Sequence, residues 1–140
     1  MIDDAELLEK VKGNGETILV IEDEEVLAEI SKISLEMNGY SVVLAKDGVV
    51  GIELFKRNPH AIKAVICDLN LPYLDGASTL LAILAIKPEI NIIIVSGSVE
   101  PEKIPHLPEF AASMYLQKPY RIEMLLKALY AMLAKEPITI

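Results

Sequence analysis

The chain has 140 residues, a length that suits one domain able to bury a core without disulfide or metal support. Hydrophobic residues make up 52% of the sequence and the mean hydropathy is +0.38, so disorder is not expected. The net charge of −8 would repel nucleic-acid phosphates and anionic lipid. We therefore expect no direct nucleic-acid binding and no membrane role.

The chain offers little for disulfide or zinc chemistry. Cys67 is the only cysteine, so an internal disulfide is excluded and a reducing, cytoplasmic compartment is favoured. His60 and His106 lie far apart without ligand-like spacing, and we expect no zinc site. The N-terminus lacks a signal-peptide pattern, and no segment holds the about 18 apolar residues of a membrane span.

In the first half of the chain, short apolar runs alternate with stretches of helical periodicity. After an N-terminal extension or linker at 1–15, the β-branched run at 17–21 predicts a buried strand. The next predicted elements are a helix at 24–38, a strand at 40–45 and a helix at 48–57. Apolar residues at helical spacing are Val26, Ile30, Ile33 and Met37 in the first helix and Val49, Ile52 and Phe55, expected to face inward, in the second.

The second half continues the alternation. The predicted elements are a strand at 64–68, a helix at about 76–87, strands at 91–96 and 113–117, a last helix at 122–133 and a tail at 135–140. Between 99 and 112 the expected fourth helix carries Pro101, Pro105 and Pro108, and interior prolines break helices. A short, broken or loop-like segment is therefore predicted there.

Strands that alternate with helices predict right-handed crossovers and a parallel sheet, whose ligand site lies at the carboxyl ends of the strands. The polar residues that follow or end predicted strands are Glu22, Asp23, Asp68, Ser96 and Lys118. Clustered carboxylates without histidine or cysteine suit Mg²⁺, which also takes phosphate oxygens. With Lys118 and Ser96 to contact a phosphate, Asp68 could act as the nucleophile of a phosphoryl transfer.

Each of these residues also has an ordinary explanation when taken alone. Asp68, Glu22 and Asp23 could cap a loop or helix. Lys118 could be a solvated surface lysine, and Ser96 could be a turn residue beside Gly97. The combination of all of them at successive strand ends favours the functional interpretation.

Four motifs resemble the receiver domains of two-component response regulators. They are ILVIEDEE at 18–25, VICDLNLPYLDG at 65–76, IIIVSGS at 92–98 and YLQKPY at 115–120. The resemblance covers about residues 16–134. It implies a flavodoxin-like, doubly wound α/β fold with a five-stranded parallel sheet of order 2-1-3-4-5 and about five helices, the fourth irregular.

The resemblance also implies roles for single residues. Asp68 would accept the phosphoryl group from a histidine kinase or a histidine phosphotransfer protein. The Mg²⁺ ligands would be Asp23, Asp68, the backbone carbonyl of Asn70 and, through water, Glu22. Lys118 would contact the phosphate, and a cis bond is expected between Lys118 and Pro119.

Ser96 and Tyr115 would form the switch of the family, although Tyr115 alone could be an ordinary half-buried strand aromatic. Phosphorylation would then change the surface made by 99–112, the fifth strand and the last helix. In that helix Met124, Ala128 and Ala131 are apolar outside the main stripe, so docking or a homodimer through this surface is a further hypothesis.

Three other classes of protein compete with this interpretation. A phosphohydrolase of the haloacid-dehalogenase type would need an acid two residues after Asp68, where Asn70 stands. A flavin-binding module would need a hydroxyl-rich phosphate loop after the first strand, where the acidic run 22–25 would repel phosphate. A receiver-like domain that only binds partners would normally have lost acidic positions that are all filled here. The sequence carries no motif that identifies the partner kinase, the signal or the output.

Overall fold

The structure is a computed structural model, and it describes residues 4–97, 107–109 and 111–134. Its strands are β1 (Thr17–Ile21), β2 (Ser41–Ala45), β3 (Ile62–Asp68), β4 (Asn91–Ser96) and β5 (Ala112–Gln117). Its helices are α1 (Asp4–Lys10), α2 (Glu25–Met37), α3 (Gly48–Arg57), α4 (Gly76–Ile86) and α5 (Ile122–Ala134). Among the described residues, no helix is long and apolar enough to span a membrane.

The five strands form one parallel sheet in the order β2-β1-β3-β4-β5, which confirms the predicted topology. Strand order reverses beside β1, because β2 lies on one side of it and β3 on the other. Parallel pairing brings the carboxyl ends of neighbouring strands to one edge, so that Ile21 pairs with Cys67 and Asp68 with Val95. A cleft at that edge, near the reversal, is where such sheets bind ligands.

Alternate residues of the strands pack into two separate layers of the core. Ile18 and Val20 of β1 lie in one cluster with Leu35 of α2 and with leucines of α5. Leu19 and Ile21 lie in the other cluster, with Phe55 of α3 and with residues of α4. Because both faces of the sheet are covered by helices, its central strands are continuously apolar, as buried parallel strands usually are.

The predicted elements agree with the observed ones to within about two residues at each end. The exceptions are α1, which the sequence did not predict, and the segment 99–112. Most of that segment lies outside the described residues, so its predicted broken form stays a prediction. Of the described helices, α1 precedes β1, each of α2, α3 and α4 connects two strands, and α5 follows β5.

Helical spacing misjudged which faces of the helices are buried. In α3 the inward prediction for Val49 is wrong because its side chain is 53% exposed, whereas Phe55 is fully buried. In α2, each residue of the apolar stripe is at least half exposed: Val26, Ile30, Ile33 and Met37. The buried residues of this helix are instead Ala28 and Leu35. In α5, Ala128 is buried and Met124 is half exposed, so less apolar surface is left there than the sequence suggests.

The segment that precedes β1 packs against the body of the domain. Val11 is fully buried in the core cluster that contains Tyr40. The backbone N–H of Gly13 donates to the carbonyl of Asn38 at 2.8 Å. A Cβ atom added at Gly13 would lie 2.6 Å from Cδ1 and Cε1 of the Tyr40 ring, so only glycine allows this approach.

This contact predicts that Gly13→Ala lowers the free energy of unfolding by roughly 1–3 kcal/mol, the usual cost of overpacking. Chemical denaturation would measure the change. Tyr40→Val removes the ring atoms that the new Cβ would meet, so the cost of Gly13→Ala should largely vanish in the double variant. Equal costs in both backgrounds would contradict a steric contact between residue 13 and the ring.

Candidate functional site

The carboxyl edge of the sheet brings together four of the predicted site residues. Glu22 follows β1, Asp68 ends β3, Ser96 ends β4 and Lys118 follows β5. The three residues other than Lys118 expose only 8%, 5% and 2% of their surfaces, respectively. Backbone hydrogen bonds connect neighbouring strands at this edge. The N–H of Leu69 donates to the carbonyl of Val95, and the N–H of Lys118 donates to the carbonyl of Ser96.

The Lys118 ammonium lies between two carboxylates at the centre of this edge. Its Nζ donates to Asp68 Oδ2 at 2.6 Å and to Glu22 Oε1 at 2.7 Å. The other oxygen of Asp68, Oδ1, accepts from the backbone N–H of Asn70 at 2.9 Å. Both oxygens of the Asp68 carboxylate are therefore held, and its plane is fixed.

The pKa values record how closely these charges are placed. Burial raises the pKa of Glu22, and the negative charge of Asp68 raises it further, while the hydrogen bond from Lys118 opposes both effects. Burial alone would lower the pKa of Lys118, but its hydrogen bonds to Asp68 and Glu22 outweigh this and raise it. Lys118 therefore remains charged at neutral pH and is the counter-ion of two buried acids.

Three carboxylates of this edge lie close enough to hold a metal ion. Glu22, Asp23 and Asp68 each offer an oxygen, and these oxygens lie within 4.8 Å of one another. Asp23 is exposed, so the cluster opens to solvent on that side. A set of carboxylate oxygens without histidine or cysteine fits a hard ion such as Mg²⁺. Asn70 is exposed and follows Asp68 by two residues, on the same loop.

The loop that follows Asp68 ends at the start of α4, and there it lies against the end of β3. Asp75 caps α4, because its Oδ1 accepts from the backbone N–H of Ser78 at 2.7 Å. This interaction also lowers the pKa of Asp75. Gly76 lies against the end of β3, where an added Cβ would meet the carbonyl oxygen of Asp68 at 2.5 Å. The loop is thus short and held at both ends.

Two further predictions concern the Ser96 and Tyr115 pair and the bond after Lys118. The Tyr115 hydroxyl donates to the carbonyl oxygen of Ser96 at 3.5 Å, and the tyrosine is half buried. Its position beside the hydroxyl residue is thus observed, while a switching role stays a prediction. The cis bond between Lys118 and Pro119 is confirmed.

Sequence reasoning missed two features beside this edge. One is an open cavity of about 350 Å³ that borders on Glu22 and Lys118 and is lined further by residues of α2 and by Tyr120. The other is Tyr73, which is 91% exposed with a φ of 68°. The cavity depends on how α2 sits over the sheet, which periodicity does not give. Nothing in the run LPYLDG predicted a turn with a positive φ at Tyr73.

A doubly wound sheet of this order, with an acidic cluster and a lysine at its carboxyl edge, is typical of receiver domains in two-component signalling. The family profile of the response regulator receiver domain matches residues 18–130. The chain therefore belongs to the response regulator receiver domain family, and this confirms the resemblance of the four motifs.

Similar proteins agree with this placement. The chain is 34% identical to the response regulator MprA of Mycobacterium sp. (strain KMS), over 84% of the chain and 50% of that protein. It is 30% identical to the sensor kinase CckA of Brucella abortus, over 86% of the chain but 13% of that protein. A receiver domain structure from Clostridium thermocellum has a TM-score of 0.76 at 30% identity and covers 85% of the chain and 94% of its own length. The chain thus spans half or less of these two curated relatives.

Removing the Lys118 charge should destabilise the metal-free protein at neutral pH. Lys118→Met leaves Glu22 and Asp68 buried without their counter-ion, at a cost of roughly 1–3 kcal/mol or more. The deficit should shrink as the pH falls towards the pKa of Glu22, which lies above its ordinary value of 4.5, because protonation removes the repulsion. Denaturant titrations across acidic and neutral pH would measure it.

Lys63→Met is the matched control, because the Lys63 side chain is exposed and its ammonium donates to the carbonyl of His60 rather than to a carboxylate. Its effect on stability should be small and independent of pH. A Lys118→Met deficit that stays constant from neutral to acidic pH would contradict the role of this lysine as a counter-ion.

Proposed function

We propose that Asp68 accepts a phosphoryl group from a phosphohistidine, and that Mg²⁺ is required. The observation that supports this most is the pair of bonds from Lys118 Nζ to Asp68 and Glu22 at the centre of the acidic edge. This ammonium is a positive group within hydrogen-bond distance of the nucleophilic carboxylate. It also lies where a group joined to Asp68 would need a positive partner.

The proposed step exchanges one bond of phosphorus for another. A carboxylate oxygen of Asp68 forms a bond to phosphorus, and the bond from phosphorus to the donor imidazole nitrogen breaks with its electron pair left on nitrogen. Glu22, Asp23 and Asp68, with the backbone carbonyl of Asn70, would hold Mg²⁺, which would supply positive charge to the phosphoryl oxygens. Lys118 would turn from the carboxylate to a phosphoryl oxygen, and the Ser96 hydroxyl would donate to another.

The switch of the domain would follow from the same contacts. If Ser96 moves towards the phosphoryl group, the carbonyl that accepts from Tyr115 moves with β4, and the ring can pack further inward. The surface around the segment 99–112, β5 and α5 would then change. Docking or self-association through this surface stays a prediction that sedimentation with and without a phosphoryl mimic would test.

The alternative of a phosphohydrolase gains no support from the site. Asn70 stands where that class has its general acid, and it donates its backbone N–H to Asp68 rather than supplying a proton. Receiver domains are signalling domains rather than enzymes with free substrates. A histidine kinase or a histidine phosphotransfer protein is the proposed partner, with the similarity to a sensor kinase and a response regulator in support.

The proposed function predicts a single phosphoryl adduct on Asp68. Incubation with acetyl phosphate and Mg²⁺ should add the mass of one phosphoryl group to the intact protein, and Asp68→Asn should abolish the adduct. Asp75→Asn is the matched control, because asparagine caps a helix about as well as aspartate and should leave labelling intact. An adduct that persists in Asp68→Asn would overturn the assignment.

Metal binding should raise the thermal stability of the protein. At about ten times its dissociation constant, Mg²⁺ should add about 1.4 kcal/mol to the free energy of unfolding, because it binds a cluster that exists only in the folded chain. Asp23→Ala should remove this response and leave the metal-free fold at least as stable, since Asp23 is exposed and repels its neighbours. Glu24→Ala is the control for the loss of one exposed acid next to Asp23. A melting temperature of the wild type that ignores Mg²⁺ would count against the site.

A further inference from the structure

Tyr73 occupies a strained turn on the loop that begins at Asp68. The backbone N–H of Leu74 donates to the carbonyl of Pro72 at 2.7 Å, and the φ of Tyr73 between them is 68°. This is a γ-turn with a positive central φ, a rare and strained form. Among the residues that the structure describes, Tyr73 is the only one other than glycine with a positive φ.

Within the part of the chain that the structure describes, no packing of the Tyr73 side chain offsets this strain. The Tyr73 side chain is 91% exposed, so its ring adds almost nothing to the core. Glycine would adopt the same φ without the steric conflict of a Cβ. An outlier of this kind is a reason to look for a function that retains it, because strained residues cluster at functional sites.

The rest of the loop fixes the backbone on both sides of Tyr73. Leu69 and Leu71 pack against the core cluster of α3 and α4. The backbone N–H of Gly76 donates to the carbonyl of Leu69 at 3.2 Å and closes the loop. Tyr73 is therefore an aromatic side chain presented to solvent from a backbone that is fixed on both sides.

The position of the loop suggests what covers the ring. Asp68 exposes only 5% of its surface, and its Oδ1 is bonded to the loop at Asn70. A protein that brings a phosphohistidine to this carboxylate has to lie against the loops that border it, and 69–75 is one of them. Acetyl phosphate is small enough to reach Asp68 without touching the far part of the loop. A second copy of the chain would bring another charge of −8.

We propose that Tyr73 is a contact residue for the protein that presents a phosphohistidine to Asp68, and that its ring packs on the surface of that donor. The proposal rests on the proposed function and adds a determinant of donor recognition to it. Tyrosine suits this role because its ring gives a large contact area with few rotatable bonds, and it is common among residues that dominate binding.

The test compares two phosphoryl donors on three variants. Tyr73→Gly removes the ring and the strain, Tyr73→Ala removes the ring but keeps a Cβ at positive φ, and Tyr73→Phe keeps the ring. The small donor is acetyl phosphate with Mg²⁺. The protein donors are a panel of autophosphorylated histidine kinase cores and phosphorylated histidine phosphotransfer domains. The donor that transfers its phosphoryl group fastest to the wild-type chain is then used with all variants.

With the protein donor, we expect Tyr73→Gly and Tyr73→Ala to lose roughly tenfold or more in kcat/KM for transfer, and Tyr73→Phe to stay within about threefold of the wild type. With acetyl phosphate all three should be labelled at the wild-type rate. Tyr73→Gly should also melt at a higher temperature than the wild type, which separates the role of the ring from a role in the fold. Leu81→Ala is the control, because Leu81 is also exposed but lies on α4 rather than on the loop, and it should change neither rate.

Three results would overturn the proposal. One is transfer at the wild-type rate from the protein donor to both Tyr73→Gly and Tyr73→Ala. Another is an equal loss with acetyl phosphate, which would assign Tyr73 to the placement of Asp68 rather than to the donor. The third is a wild-type chain that accepts from acetyl phosphate and from no protein donor. Failure of the wild type with acetyl phosphate would instead refute the proposed function.

Discussion

The ammonium of Lys118 between the carboxylates of Glu22 and Asp68 is the interaction on which the functional edge depends. Two acids that expose 8% and 5% of their surfaces would repel each other strongly without it. The three residues come from the ends of β1, β3 and β5, which are distant in sequence. The sheet order, in which β3 lies between β1 and β4 with β5 beyond, brings them within hydrogen-bond distance at one edge.

The same arrangement explains why the Asp68 carboxylate is both buried and held in one orientation. Asp68 belongs to β3 and is paired with Val95 of β4, so the backbone fixes its position. Its side chain has one oxygen on the ammonium and the other on the N–H of Asn70. The strands fix the positions of the charged residues, which lie at the ends of strands or directly after them, as is common in proteins of this architecture.

The sequence was sufficient for the sheet and for the positions of the polar residues at its carboxyl edge, because both follow from where the apolar runs begin and end. Buried parallel strands are continuous apolar runs, and Glu22, Asp68, Ser96 and Lys118 could be placed from where those runs stop. The sequence was less able to predict which face of each helix is buried. Helix α2 carries more apolar residues than the sheet can cover, and periodicity alone does not show which of them are buried. Val49 was misjudged for the same reason. The turn at Tyr73 was missed because a positive φ at a tyrosine runs against every local preference.

The exposed apolar stripe of α2 makes the solubility of the domain depend on its net charge. At neutral pH the net charge of −8 opposes association through the exposed residues Val26, Ile30 and Met37. Near the isoelectric point of about 4.7 this repulsion disappears while the stripe remains. The solubility of the domain is thus set by its carboxylates, and mild acid is the condition under which it would come out of solution.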